Sequence, residues 1–161
     1  MPGPFTIRSP QSSDEWEVVK KLLIDYRNEF DDQTCFTSFE QEMDNIEQYY
    51  SDTDKIKLIA VDEETETVAG CVAMRPYKPG VAEMKRLYVV PAFRGYKLGR
   101  MLAEAIIEKA VEQGFHSMIL DTMYEMQAAQ QLYYNLGFHT IPPYHQQDES
   151  KVICFEKQLS L

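Results

Sequence analysis

Basic residues are the scarce kind in this chain. Its 161 residues include 16 Lys and Arg against 26 Asp and Glu, a formal net charge of −10. Nucleic acid and anionic membrane need a basic footprint, so the balance argues against both as general partners. Long apolar runs are missing too, and none approaches the ~20 residues of a membrane-spanning helix. The start, Met1-Pro2-Gly3-Pro4-Phe5, has no basic end leading into an apolar core, so no signal peptide is expected. Cysteines are few. Cys35, Cys71 and Cys154 are odd in number, widely spaced and form no CxxC pair. They fit neither a disulfide framework nor a zinc site, and the expected compartment is the reducing cytoplasm. The GxxxxGK[ST] and GxGxxG phosphate loops are absent. His116, His139 and His145 have no ligand-like spacing.

What is present describes a globular protein. Hydrophobic residues make up 44% and charged residues 26%, enough to bury about 70% of the unfolded surface in one domain over residues 1–161. Phe5–Arg8 alternates like a short strand. Ser12 and Ser13 are candidate N-caps for a helix in which Trp16, Val19, Leu22, Leu23, Tyr26 and Phe30 recur at helical spacing. A polar loop over Asp31–Ser38 leads to a second helix, Phe39–Tyr50. Strands are expected over Lys55–Val61 and Thr67–Arg75, then a turn at Pro76–Gly80 and a strand at Ala82–Val90. A helix over Lys97–Gln113 closes at Gly114. Ser117–Leu120 reads as a strand and Glu125–Leu136 as a helix ended by Gly137. Final strands at Phe138–Ile141 and Lys151–Gln158 flank a loop, Pro142–Ser150. The reading is a single α+β domain of order β-α-α-β-β-β-α-β-α-β-β.

Charge is unevenly spread along these elements. Residues 1–66 hold 17 acids and 6 bases, and residues 67–161 hold 9 acids and 10 bases. Residues 84–100 contain Lys85, Arg86, Arg94, Lys97 and Arg100 and no acid. There a strand runs through a loop with Gly95 and Gly99 into a long helix. The first N–H groups of a helix lack internal partners and carry positive potential. No Ser, Thr, Asp or Asn lies between Arg94 and Arg100 to cap them. An anion site and a plain glycine turn with solvated bases both fit this pattern.

The chain resembles the GNAT-type N-acetyltransferase superfamily. That family binds acetyl-coenzyme A on a Q/R-x-x-G-x-G/A loop, which Arg94-Gly95-Tyr96-Lys97-Leu98-Gly99 matches at its ends, with Lys97 at the middle glycine. Ala129-Gln-Gln-Leu132-Tyr133-Tyr134-Asn-Leu136-Gly137-Phe138 is similar to the family's A-x-x-L/F-Y-x-x-x-G-F element. The resemblance covers roughly Phe5 to Leu159. It implies a GNAT-like, largely antiparallel twisted sheet flanked by helices, and acetyl-CoA as co-substrate with no metal.

The resemblance also assigns roles. The backbone of Leu87, Tyr88 and Val89 would pair with the pantetheine arm. The N–H groups of Gly95 through Arg100 would take the pyrophosphate. Tyr133 would protonate the leaving thiolate, a fair match for a phenol, although it also fits the helix's inward stripe. Glu83, 11 residues before Arg94, matches a general-base glutamate, and fits equally a strand glutamate paired with Lys85 or Arg86. The N–H of Val89 would meet the oxyanion. Met126 stands seven residues before Tyr133, where many relatives place a coenzyme-contacting Asn. Cys71 and Cys154 read as core.

The implied function is transfer of an acetyl group to a primary amine by direct attack. The alternatives are a non-catalytic CoA-binding regulatory module of the same fold and an acyltransferase using another acyl-CoA. The acceptor is a small-molecule or peptide amine, and a homodimer is a common family assembly. Asp31, Asp32, Glu40, Glu42, Asp44 and Glu47 would steer a cationic acceptor or form a solvated acidic face.

Overall fold

The computed structural model describes residues 3–30, 38–144 and 151–159. The expected strands and helices are found, with two changes of boundary that matter. The chain begins with β1 (Phe5–Arg8) and α1 (Ser13–Asn28). Ser12 is the N-cap of α1, its Oγ accepting from Glu15 N–H at 3.1 Å. Glu15 in turn accepts from Gln11 N–H at 2.7 Å and both terminal nitrogens of Arg8, at 2.9 and 2.7 Å. This ties the start of α1 to β1. The Asp31–Ser38 loop falls outside the described residues except for Ser38.

The second predicted helix is two short ones, α2 (Phe39–Asp44) and α3 (Ile46–Tyr49). Asn45 leaves helical geometry at φ −151°, ψ 80°, and its side-chain oxygen accepts from Gln48 N–H at 3.4 Å to start α3. An asparagine that hydrogen-bonds the local backbone competes with helix continuation.

Then come β2 (Ile56–Asp62), β3 (Thr67–Lys78) and β4 (Val81–Val89). The turn expected at Pro76–Gly80 is shorter than read. Pro76 stays in β3 opposite Ala82, at a register shift, and only Pro79-Gly80 separates the paired Lys78 and Val81. Gly80 has φ +81°, and Pro followed by a positive-φ residue is the chemistry of a tight turn. Helix α4 (Leu98–Glu112), β5 (Ser117–Met123), α5 (Gln127–Asn135), β6 (His139–Ile141) and β7 (Val152–Gln158) complete the fold.

One sheet runs in the order β1-β2-β3-β4-β5-β7-β6. Every neighbouring pair is antiparallel except β4 and β5, which are parallel. These two touch only through Val81–Glu83 against Ser117–Ile119. From Met84 onward β4 keeps β3 as a partner and parts from β5. A bulge lies in the same stretch. Arg86 takes φ 61°, and the register shifts between Cys71 and Ala73. The Cys71 thiol donates to the Arg86 carbonyl at 3.5 Å. An extra residue here bends β4.

Apolar residues cover both sheet faces. Leu98, Leu102 and Ile106 of α4 pack on Leu58, Val72, Met84, Leu120 and Phe155. On the other face Val19 and Leu23 of α1 and Phe39 and Met43 of α2 meet Ile59, Val61, Cys71 and Tyr88. Cys71 and Cys154 are buried free thiols, as expected of core positions. No helix among the described residues is long and apolar enough to cross a membrane.

Candidate active site

The parting of β4 from β5 opens a cleft of about 460 Å³. Its walls are Met84–Val89 of β4, the end of β5 with Asp121 and Thr122, and Ala129, Leu132 and Tyr133 of α5. Tyr26 and Glu29 of α1 close one side. The β4 edge facing the cleft lacks a strand partner among the described residues beyond Glu83. Val90 N–H bonds the Ala69 carbonyl at 2.8 Å, toward β3. Strand N–H groups alternate in direction, so those of Val89 and Leu87 face the open side.

The predicted anion loop sits at the cleft mouth. A 3₁₀ turn over Pro91–Phe93 leads to extended Arg94, then Gly95 at φ +96°. Lys97 is left-handed at φ 63°, ψ 23°, and α4 follows with no side-chain cap. Its first internal bond runs from Met101 N–H to the Lys97 carbonyl at 3.1 Å, which leaves the N–H groups before it outward. Lys97, at the position where the family pattern has glycine, thus holds a left-handed backbone that glycine adopts without strain. A Cβ on Gly99 would touch only Leu132, at 3.6 Å.

The residues expected here divide by position. Leu87, Tyr88, Val89, Arg94, Gly99 and Tyr133 line the cleft. Gly95, Tyr96, Lys97 and Arg100 do not line it, and the Leu98 side chain lies in the core at 1% exposure. Arg94 donates from Nε to the Val89 carbonyl at 3.0 Å and from Nη2 to Glu29 at 3.4 Å. Glu29 also accepts from the Tyr88 hydroxyl, whose pKa is raised by burial and by this bond. Arg100 pairs with Glu104 at 2.7 Å on the helix surface. Tyr133 is buried against Phe138 and Phe155, at ring separations of 5.8 and 5.7 Å. Tyr134 points away and is half exposed.

Glu83 is fully buried and does not line the cleft. Its principal partner is one the sequence did not suggest. Arg75 Nε donates to Oε1 at 3.0 Å, and the Tyr144 hydroxyl donates to Oε2 at 2.8 Å. Lys85 Nζ stands 3.9 Å from Oε2. Arg86 turns instead to Glu42, at 2.9 Å with both side chains buried. Burial works to raise the Glu42 pKa, but Arg86, Lys57 and Tyr50 outweigh it and hold the carboxyl below its ordinary value. Glu42 is therefore a core residue, neither on a solvated acidic face nor free to steer a substrate. Glu40 pairs with Arg27 at 2.7 Å. Asp31, Asp32, Cys35 and His145 lie outside the described residues.

Sequence spacing missed Arg75, Asp121 and Tyr144. Only the β3–β4 register, which sets Arg75 opposite Glu83, and the fold-back of β7 bring them together. Met126 lines the cleft, and its sulfur accepts from the Thr122 hydroxyl at 3.2 Å. His139 is exposed, 3.9 Å from Glu156.

Comparison with known proteins bears on the family and the fold. The sequence profile of the Acetyltransferase (GNAT) family matches residues 16–138. An uncharacterized N-acetyltransferase of Schizosaccharomyces pombe is 37% identical over 155 residues, covering 96% of this chain and 93% of that protein. An uncharacterized N-acetyltransferase of Escherichia coli is 31% identical over 77% of this chain and 74% of its own. Among solved structures, a GNAT-family acetyltransferase of Staphylococcus aureus superposes with TM-score 0.80 at 19% identity, over 98% of this chain and 100% of that one. A Salmonella typhimurium protein solved with its cofactor acetyl-CoA superposes with TM-score 0.76 at 18% identity, over 99% and 96%. The fold, the uncapped helix at the parted strands and these sequence matches together place the chain in the GNAT acetyltransferase family.

Proposed function

We propose that the protein moves an acetyl group from acetyl-CoA to a primary amine by direct attack. The observation that supports this best is the juxtaposition, in one cleft, of an open β4 edge, an uncapped α4 N-terminus and the wall formed by Tyr133. The open backbone of Leu87, Tyr88 and Val89 would pair with the pantetheine arm as an added strand. The pyrophosphate would sit on the N–H groups from Gly95 to Arg100, with Arg94, Lys97 and Arg100 adding charge.

The amine lone pair attacks the thioester carbonyl carbon, and the oxyanion that forms is met by the Val89 N–H. The C–S bond then breaks, and the thiolate takes a proton from the Tyr133 hydroxyl. Glu83 is the proton acceptor for the amine in this reading. Both its oxygens are engaged, so the proton reaches it by way of the Tyr144 hydroxyl, which donates to it directly.

Titrating the isolated protein with acetyl-CoA tests the reading. A ligand present at 100 times its dissociation constant stabilises by about 2.7 kcal/mol, so thermal unfolding should move up by several degrees. Incubation with an amine panel should release free CoA thiol. Absence of both stabilisation and thiol release would overturn the assignment.

A further inference from the structure

Among the described residues, two buried side-chain nitrogens make no hydrogen bond, Lys57 Nζ and Lys85 Nζ. They differ in what they face. Lys57 Nζ lies over the Tyr50 ring at 4.9 Å, away from the cleft. Lys85 lines the cleft while its side chain is only 6% exposed. Glu83 Oε2 stands 3.9 Å away, an ion pair without a hydrogen bond, and its two oxygens also accept from Arg75 and Tyr144. An ammonium carries three donors, and leaving them unmade in a buried wall is unfavourable. Burial holds the Lys85 pKa below its ordinary value, against the opposing pull of Glu83 and Asp121.

The same cleft also carries the opposite sign. Asp121 of β5 and Glu125 just beyond it both line the cleft. Asp121 lies near enough to bias the titration of Lys85 and of Tyr144. A cation with unmade hydrogen bonds on β4 and two carboxylates lining the same cleft form a two-signed site. A simple cationic amine leaves the Lys85 ammonium without a hydrogen bond, and a simple anion leaves no group to acetylate. A molecule that answers both bears an amine and an anionic oxygen group a few bonds apart.

Given the acetyltransferase reading on which this rests, we infer that the acceptor is a small amino carboxylate. Its carboxylate is bound by Lys85 Nζ, and its ammonium is drawn to Asp121 and Glu125 before deprotonation. The cleft, at about 460 Å³, is of a size for a small molecule beside the pantetheine arm.

The experiment uses matched triplets: an amino acid, its carboxamide and its decarboxylated amine, with spermidine as a purely cationic acceptor. CoA-thiol release is measured at saturating acetyl-CoA. The amino acids should exceed their matched amines in kcat/KM by about 10- to 100-fold, the usual worth of a charge-assisted bond, and chiefly through KM. Lys85→Met should shrink that ratio to near unity, and Lys85→Arg should restore part of it. Thermal shifts of the unmodified protein with CoA bound give a readout that needs no variant, and amino acids should stabilise it where decarboxylated amines do not. Equal use of amines and amino acids, or an unchanged ratio in Lys85→Met, overturns the inference. Turnover of spermidine alone also overturns it and leaves the acetyltransferase reading intact. Failure to bind acetyl-CoA overturns both.

Discussion

Lys97 holds a left-handed backbone, φ 63°, that costs an L-residue with a Cβ roughly 1–2 kcal/mol. The family pattern answers with glycine, and this chain keeps the strained lysine where a pyrophosphate would gain from its charge. Lys97→Gly should therefore stabilise the fold by about 1 kcal/mol, visible as a rise of a few degrees in thermal unfolding. The same variant should bind acetyl-CoA more weakly, with less dependence on salt. Arg86 is the second residue whose role only the structure shows. Read in sequence it belongs to a basic segment, yet its guanidinium is buried on Glu42 and stands 5.3 Å from the Phe39 ring. Breaking a buried pair leaves one charge uncompensated and costs about 3–5 kcal/mol. Arg86→Met should lower the denaturant midpoint by a corresponding amount, which equilibrium unfolding would measure. Sequence showed the charge of both side chains but not their surroundings, because burial and φ are set by a β4 bulge and a loop bend that no periodicity records.

At the level of elements, the boundaries with local chemistry were legible. Ser12 with Glu15 marks the start of α1, and Gly114 and Gly137 follow α4 and α5 as helix stops. Asn45 splits a stretch whose apolar spacing reads as continuous, because Phe39, Met43 and Ile46 still share one core face across the break. The Arg8–Glu15 pair carries a pH consequence. The Arg8 hydrogen bonds, opposed by desolvation, bring the Glu15 carboxyl from 4.5 down to about 2. A depressed carboxyl contributes stability in full above its unfolded pKa and loses it as pH falls through the folded value. Unfolding followed between pH 6 and pH 2 should show that loss below about 4.5, and Glu15→Gln should flatten it. Packing between elements gives a separate test. A Cβ on Gly70 of β3 would lie 2.7 Å from the Tyr88 carbonyl oxygen and 3.2 Å from Leu102 Cδ1. Gly70→Ala must push α4 or β4 outward, at about 1–3 kcal/mol. A mobile cleft wall would also show as weaker acetyl-CoA binding.

For the whole molecule, the decisive feature is a sheet that stays paired on one side of β4 and parts on the other. Motifs in the sequence located the two halves of the cleft, Arg94–Gly99 and Ala129–Phe138, some 30 residues apart. They could not show that Arg75, Asp121 and Tyr144 gather on the same face, since that depends on the registers of β3, β4, β5 and β7. Tyr133 tests whether the assembled cleft is catalytic. Its ring fills space between Phe138 and Phe155, a role that phenylalanine would preserve. The hydroxyl lies outside those ring contacts, and it supplies a proton if the thiolate departs beside it. Positioned proton transfer is worth about 10²–10⁴ in rate. Tyr133→Phe should therefore unfold at nearly the wild-type temperature and bind acetyl-CoA within about twofold, since a loss confined to kcat marks an interaction made only in the transition state. Its kcat should fall at least 100-fold, with the defect smaller for acyl donors whose leaving thiol has a lower pKa and needs the proton less. A kcat near wild type would reduce Tyr133 to a packing residue and move the search for the acid to other hydroxyls of the cleft.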